Sequence, residues 1–311
     1  MQSCKGGGRM NNRKKEAVAG VLFAGPWIIG FIIFTLYPIV ISLYYSFTKF
    51  SVFKPPVFVG LQSYKEIIGN DLFLKSLANT LYMAVFATPA GILFALVLAL
   101  LLNMHIRGLS IYRTIFYIPT IVPQVASTIL WVWILNARYG LLNNFLKMLG
   151  VYQPNWFQDP RFTKPALILM GLWTAGSSMV VLLAALQDVP RTLYEVADID
   201  GANRWDKFIY VVLPSISPSV LYLLITGLIY NFQLFTPAWI IGESQGGLNQ
   251  GVYGGPENSL MFYASFLYYN AFSYLKMGHA SAMAWILFVI TALVTWAAFK
   301  SSNKWVTYGG E

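Results

Sequence analysis

The chain has 311 residues, 57% of them hydrophobic and only 11% charged, with a formal net charge of +9. A soluble domain carries about a quarter charged residues, so this composition excludes an ordinary soluble fold and points to an all-α membrane protein. The positive balance does not signal nucleic acid, because the lysines and arginines flank apolar runs and do not form one dense face interleaved with aromatics.

Residues 1–16 form a basic tail, KGGGRMNNRKKE in its main part. The single Cys4 is an ordinary tail residue, since one cysteine gives neither a disulfide framework nor a thiolate metal site. Six apolar runs follow, at 17–46, 79–103, 115–136, 166–186, 215–242 and 278–299. A span takes about 20 apolar residues, and no Asp, Glu, Lys or Arg falls inside any run. The first run is too long for a signal-peptide core, and its cleavage would leave an odd number of spans. Pro26 and Pro38 kink it, and neighbouring helices must satisfy the freed backbone groups. The expected organisation is a cytoplasmic tail, a six-helix domain over 17–299, and a second cytoplasmic tail at 300–311.

Lys and Arg set the orientation. With the N-terminus inside, the inner segments hold 12 of the 21 basic residues in fewer positions than the outer loops. The flank of the first helix usually dominates, so the expectation is N-in and C-in. Outer loops 48–78, 137–165 and 243–277 read as connectors with short surface helices. A docking rim for an external partner is the alternative. Loop 187–214 falls inside.

Several chemistries lack their residues. There is no GxxxxGK(S/T) loop, so this chain does not hold ATP. His105 and His279 lie far apart without a carboxylate at ligand spacing, and no metal site is expected. His279 reads as a group at the head of the sixth span. No GxSxG, HExxH or Cys–His arrangement occurs, so no catalytic residue is expected. Proton-driven carriers place ionisable groups inside spans. None is present here, and the energy source falls to a partner.

The inner loop EVADIDGANRWDKFIYVVLP is unlike its surroundings. Thr192 and Glu195 have capping-box spacing. Gly201 interrupts the helix and permits a tight turn. Trp205, Phe208, Ile209 and Val212 fall on one face of a second segment, and Pro214 suits the first turn of the next helix. The segment reads as a helix–turn–helix at the inner membrane surface. Spacing alone leaves open an interfacial hairpin with no partner.

The string Glu195–x–Ala197, Asp200–Gly201–Ala202, Phe208 and Leu213–Pro214 resembles the EAA motif of ABC-type importer permeases. Val196 and Val211 depart from it by small apolar changes. FVGLQSYKEII, NDLFLKSLANTL, RTIFYIPTIVP, GLLNNFLKMLG and GHASAMAWILF resemble the carbohydrate (MalF/UgpA-like) permeases of that family. The resemblance implies a type I importer fold with a cytoplasmic coupling helix over Glu195, Ala197, Asp200, Gly201, Ala202, Leu213 and Pro214. It implies a second permease subunit, a cytoplasmic ATPase dimer carrying ATP and Mg, and an extracytoplasmic solute-binding protein. It further implies a multi-pass protein of a bacterial or archaeal cytoplasmic membrane that imports a sugar, an oligosaccharide first among them.

Polar groups inside spans are costly and usually face the interior, so they mark the expected solute path. These are Gln124 in the third span, Trp173 and Thr174 in the fourth, and Tyr230, Asn231 and Gln233 in the fifth. Asn231 resembles a substrate-contacting asparagine of the maltose permease. The alternative is that such groups join helices. Rival readings are the same machine moving glycerol-3-phosphate or a polyol, and an ATPase-independent secondary carrier.

Overall fold

The computed structural model describes residues 7–104, 108–246 and 254–307. Cys4, His105 and the outer ends of both tails lie outside them. Helix α1 (Gly7–Phe31) passes through a π-helical turn, Ile32–Leu36, into α2 (Tyr37–Ser46). Strands β1 (Thr48–Ser51) and β2 (Lys54–Phe58) form an antiparallel hairpin with Thr48 opposite Phe58, so the fold is not wholly α. Then come α3 (Gln62–Ile68), α4 (Asp71–Asn103), α5 (Leu109–Ile121), α6 (Gln124–Ile134), α7 (Leu141–Met148), α8 (Pro160–Trp173) and α9 (Gly176–Gln187). The 187–214 segment supplies α10 (Arg191–Ile199) and α11 (Arg204–Lys207). A π-helical turn, Phe208–Val212, leads into α12 (Leu213–Phe232). α13 (Thr236–Gly246), α14 (Tyr263–Tyr268) and α15 (Met277–Ser302) complete the order.

Among the described residues, four stretches are long and apolar enough to cross a membrane: Glu16–Ser46, Asp71–Asn103, Arg204–Ser244 and Met277–Ser302. The third and fourth expected spans are bent pairs. α5 meets α6 at 100°, and α8 meets α9 at 53°. Proline explains the first bend: Val122 still donates to the Pro119 carbonyl at 3.3 Å, but Pro123 has no N–H with which to continue the helix. At the second, Thr174 and Ala175 close on the carbonyls of Gly171 and Leu172, both at 3.1 Å. This turn brings Gly176 against the backbone of Phe116 in α5, where a Cβ would lie 2.2 Å from the Phe116 oxygen. The fifth expected span also breaks, between Phe232 and Thr236.

Among the described residues there are three π-helical turns, and the two at Ile32–Leu36 and Phe208–Val212 are each followed after one residue by a proline, at Tyr37–Pro38 and Leu213–Pro214. The Tyr37 and Leu213 N–H groups reach back to the Ile32 and Phe208 carbonyls. A proline inside a helix removes a donor and crowds the carbonyl four residues back, and a widened turn is one way a helix accommodates such strain.

α4 is the hub and packs on α8, α9, α12 and α14. One core cluster joins Ala95, Ala99 and Leu102 of α4 to Met179, Leu182 and Leu186 of α9 and Ile216 of α12. At the opposite end, Phe73 of α4 meets Tyr263, Tyr269 and Met283. The loop before the last span is therefore not a surface connector. Tyr263 and Phe262 are fully buried. Asn79 of α4 donates to the Asn258 and Met261 carbonyls at 2.8 and 2.9 Å, and the Tyr263 N–H donates to Thr80 Oγ1 at 2.9 Å. Those bonds satisfy backbone groups that burial would otherwise strand. His279 stands in the first turn of α15, where its Nε2 lies 2.9 Å from Glu66 Oε2 of α3.

Candidate functional site

Two regions hold the residues singled out in the sequence. The first is the α10–α11 helix pair. α10 ends in a hydrogen-bonded turn of the Schellman type: Ala202 N–H donates to the Ala197 carbonyl at 2.9 Å and Gly201 N–H to Asp198 at 3.2 Å. Gly201 sits at φ +74°, a conformation L side chains rarely adopt, although a Cβ there would meet no atom within 4 Å. The demand for glycine is thus conformational and not steric.

The capping box lies elsewhere than expected. α10 starts after Pro190 without a side-chain cap, because Thr192 is already inside the helix. The box forms on α11 instead. Asn203 Oδ1 accepts from the N–H groups of Trp205 and Asp206 at 2.8 and 3.1 Å, and Asp206 Oδ2 accepts from the Asn203 N–H at 3.0 Å. Lys207 pairs with Asp198 across the turn. The two helices are thereby fixed to each other by their own polar groups.

The expected apolar face is split. Phe208 and Val212 join the core with Tyr194, while Trp205 and Ile209 are exposed. The intervening π-helical turn alters the spacing on which that face was drawn. Ala197 is buried and Glu195, Asp200 and Gly201 are exposed. Val196, Ile199 (85% exposed), Trp205 and Tyr210 also stand out from the surface. Leu213 and Pro214 open α12, half-buried against the same core.

The second region is a cavity of about 670 Å³ enclosed by α4, α6, the α8–α9 bend and α12. Of the expected path residues, Gln124, Thr174, Tyr230 and Asn231 line it. Gln233 and Trp173 do not. Gln233 is the exposed C-cap of α12, carried off the wall where the helix stops. Trp173 is turned away by the α8–α9 bend and packs edge-on against Trp131, ring centroids 6.1 Å apart.

The Gln124 amide donates to Tyr230 Oη at 2.6 Å and links α6 to α12 across the wall. Asn231 is nearly buried and spends its amide donors on Thr88 Oγ1 and the Gly227 carbonyl, both at 3.0 Å. It therefore joins helices while presenting an edge to the cavity. Gly227 makes the approach possible: a Cβ there would fall 2.7 Å from Thr88 Cγ2. Thr88 is the residue the sequence reading missed. Its signal was a hydroxyl beside Pro89 in an otherwise apolar stretch. The lining carries no Lys, Arg, Asp, Glu or His, and its polar groups are hydroxyls and amides.

Residues 66–304 match the protein family described as binding-protein-dependent transport system inner membrane component. The chain is 38% identical to the probable ABC transporter permease protein YesP of Bacillus subtilis, over 95% of this chain and 94% of that one. It is 30% identical to the arabinooligosaccharides transport system permease protein AraP of the same organism, over 93% and 90%. Its fold superposes on a chain of a bacterial alginate ABC transporter, solved in complex with an alginate pentasaccharide-bound periplasmic protein, with a TM-score of 0.78. The identity there is 23%, over 95% of this chain and 96% of that chain.

Proposed function

The chain belongs to the inner membrane component family of binding-protein-dependent transport systems, and from that premise we propose that it is one permease half of an ATP-driven sugar importer working by alternating access. In this family ATP hydrolysis is carried by a separate subunit. In our reading the four long helices and two bent pairs make six spans, N-in and C-in, in a bacterial or archaeal cytoplasmic membrane. The helix pair around Gly201 docks on a cytoplasmic ATPase dimer that binds ATP and Mg.

The observation that carries the reading is the self-contained turn at 191–207. It is closed by its own hydrogen bonds, it exposes Val196, Ile199 and Trp205, and its second helix continues into α12, which walls the cavity. A displacement at the turn therefore reaches Tyr230 and Asn231 along one helix. The ATPase supplies the work by binding the two states of the permease unequally.

The cavity is the solute path of this half. Hydroxyl and amide groups from Thr174, Gln124, Tyr230 and Asn231 suit a polyhydroxylated solute, and the arabinooligosaccharide relative supports an oligosaccharide. Among the described residues α1 makes no substantial contact with the rest of the chain beyond the π-helical turn that follows it, which fits cover by a second, non-identical permease. A solute-binding protein delivers sugar to the outer end.

Replacing Gly201 with Trp forces a side chain into a left-handed backbone position. The expected result is loss of ATP-driven uptake by the reconstituted importer, with membrane insertion and permease pairing intact. Uptake that persists in liposomes lacking any ATPase overturns the importer reading.

A further inference from the structure

A second cavity, of about 440 Å³, lies at the end of the bundle away from Gly201, between the α6 exit and the approach to α8. Asn136, Arg138, Tyr139, Asn155, Trp156 and Gln158 line it. We propose that it is a subsite for a carboxylate-bearing sugar unit, such as a uronate, at the outer entrance of the transporter. This inference rests on the importer reading and names the solute class that reading leaves open.

The walls are held before any ligand arrives. Asn143 of α7, which is buried, donates to the Ala137 and Pro154 carbonyls at 3.1 and 3.0 Å and accepts from the Trp156 indole N–H at 2.8 Å. It thereby ties the two lining segments together and fixes the tryptophan ring, whose outer edge packs on Phe162 with centroids 6.0 Å apart. Asn136 Oδ1 accepts from the N–H groups of Arg138 and Tyr139 at 2.9 and 3.3 Å, so its side chain shapes the turn that carries them. Gly140 lets that turn close, since a Cβ there would lie 2.3 Å from the Asn136 carbonyl oxygen.

The lining composition selects the ligand. Ligand sites combine aromatic surface with a few placed polar groups in about 300–1,000 Å³, and this cavity is large enough for one sugar ring. Trp156 and Tyr139 offer aromatic faces to sugar C–H groups, and Asn155 offers an amide to hydroxyls. Arg138 supplies the charge. Among the described residues the lysine–carboxylate and arginine–carboxylate pairs are Arg161–Asp159 and Lys207–Asp198, and neither involves the Arg138 guanidinium. A planar guanidinium is suited to gripping a carboxylate with two hydrogen bonds. The central cavity has no cation in its lining, so any charge discrimination exercised by this chain falls to the entrance.

The test uses the full chain with its partner permease in lipid nanodiscs, without binding protein. Equilibrium binding of a glucuronate-terminated disaccharide is compared with that of its methyl ester, the same sugar with the charge removed. The acid should bind more tightly than the ester. Arg138→Gln should weaken acid binding roughly ten- to hundredfold, the range for a hydrogen bond to a charged group, and leave the ester unchanged. Arg138→Lys should recover part of the loss. Equal affinity for acid and ester, or acid binding indifferent to Arg138→Gln, overturns the subsite.

A parallel assay separates the two readings. If the assembled importer takes up neutral oligosaccharide with ATP hydrolysis while Arg138→Gln has no effect on acid binding, the subsite alone fails. If Arg138→Gln slows uptake of acid and neutral sugars equally, the residue meets the binding protein and the subsite again fails. If no sugar is taken up with ATP under any condition, the importer reading itself fails.

Discussion

Glu16–Ser46 and Asp71–Asn103 are both long and apolar, yet α1, the greater part of the first, stands clear of the bundle, α2 at its end packs on α15, and the second is the hub of the molecule. None of the most apolar stretch of Glu16–Ser46 is buried within this chain, against 33% for Asp71–Asn103. The second span carries small and hydroxylated residues where neighbours press close, among them Ser76, Thr80, Ala84, Thr88, Ala95 and Ala99, all buried. The first carries Gly20, Gly25 and Gly30, and none has an atom within 4 Å of where its Cβ would stand. Apolar character places a helix in the membrane. Close packing of small residues against a neighbour decides what it holds on to there.

Substitutions at glycines test that contrast directly. The largest effect is expected where a helix already touches backbone. In α15 a Cβ on Gly278 would sit 2.1 Å from the Thr48 carbonyl. Gly278→Leu should cost about 3 kcal/mol or more and abolish monodisperse protein on size-exclusion chromatography. Gly227→Ala meets only the Thr88 methyl at 2.7 Å, and a loss of about 1–2 kcal/mol is expected. Adding Thr88→Ser should restore much of that loss, and a double-mutant cycle on thermal unfolding would show the coupling.

On the free helix, Gly25→Leu should change the stability of the isolated chain by less than about 0.5 kcal/mol while lowering co-purification of the partner permease. A destabilised isolated chain would mean that α1, and not only α2, is supported from within. The smallest effect concerns the clamp between α3 and α15. Hydrogen bonds from Gln62, then from His279, hold the Glu66 carboxyl below its usual value. A depressed carboxyl stabilises the fold above its unfolded value, and the contribution is lost as pH falls through the lower folded value. Protease resistance of the β1–β2 hairpin should therefore decline only in the acid range, by well under 1 kcal/mol for so exposed a pair. Glu66→Gln should flatten the pH profile.

The limits of the sequence reading follow the same physics. Charge-free runs marked where the long apolar helices and the two bent pairs lie, because a bilayer tolerates few charges, although α4 begins at Asp71, well ahead of its run. The bends in the third and fourth spans could not be read from charge at all. Only Pro123 beside Pro119, and the Gly171–Gly176 interval, carried a signal. The Gly201 turn was legible because it rests on local chemistry. The capping box was misplaced because two candidate pairs lay within one short segment. Asn79 and Thr80 escaped notice because their partners are nearly 180 residues away. The cavity residues were half legible: a polar residue in a span faces protein, but which side of that protein depends on where the helix stops, as Gln233 and Trp173 show.

The π-helical turn at Phe208–Val212 has a consequence for length. Such a turn holds one residue more than an α-helical turn over the same rise, so it acts as a stored insertion. Deleting Tyr210 would let the rod close to plain α-helix without shortening it by a full step. The Gly201 turn would then keep nearly the same bearing about the axis of α12, whereas deleting Tyr222 from the plain α-helix beyond it would swing the turn by about 100°, like a key cut for a neighbouring slot. Uptake should survive the first deletion and fail in the second, even though every residue named at the Gly201 turn and in the cavity is still present in the second.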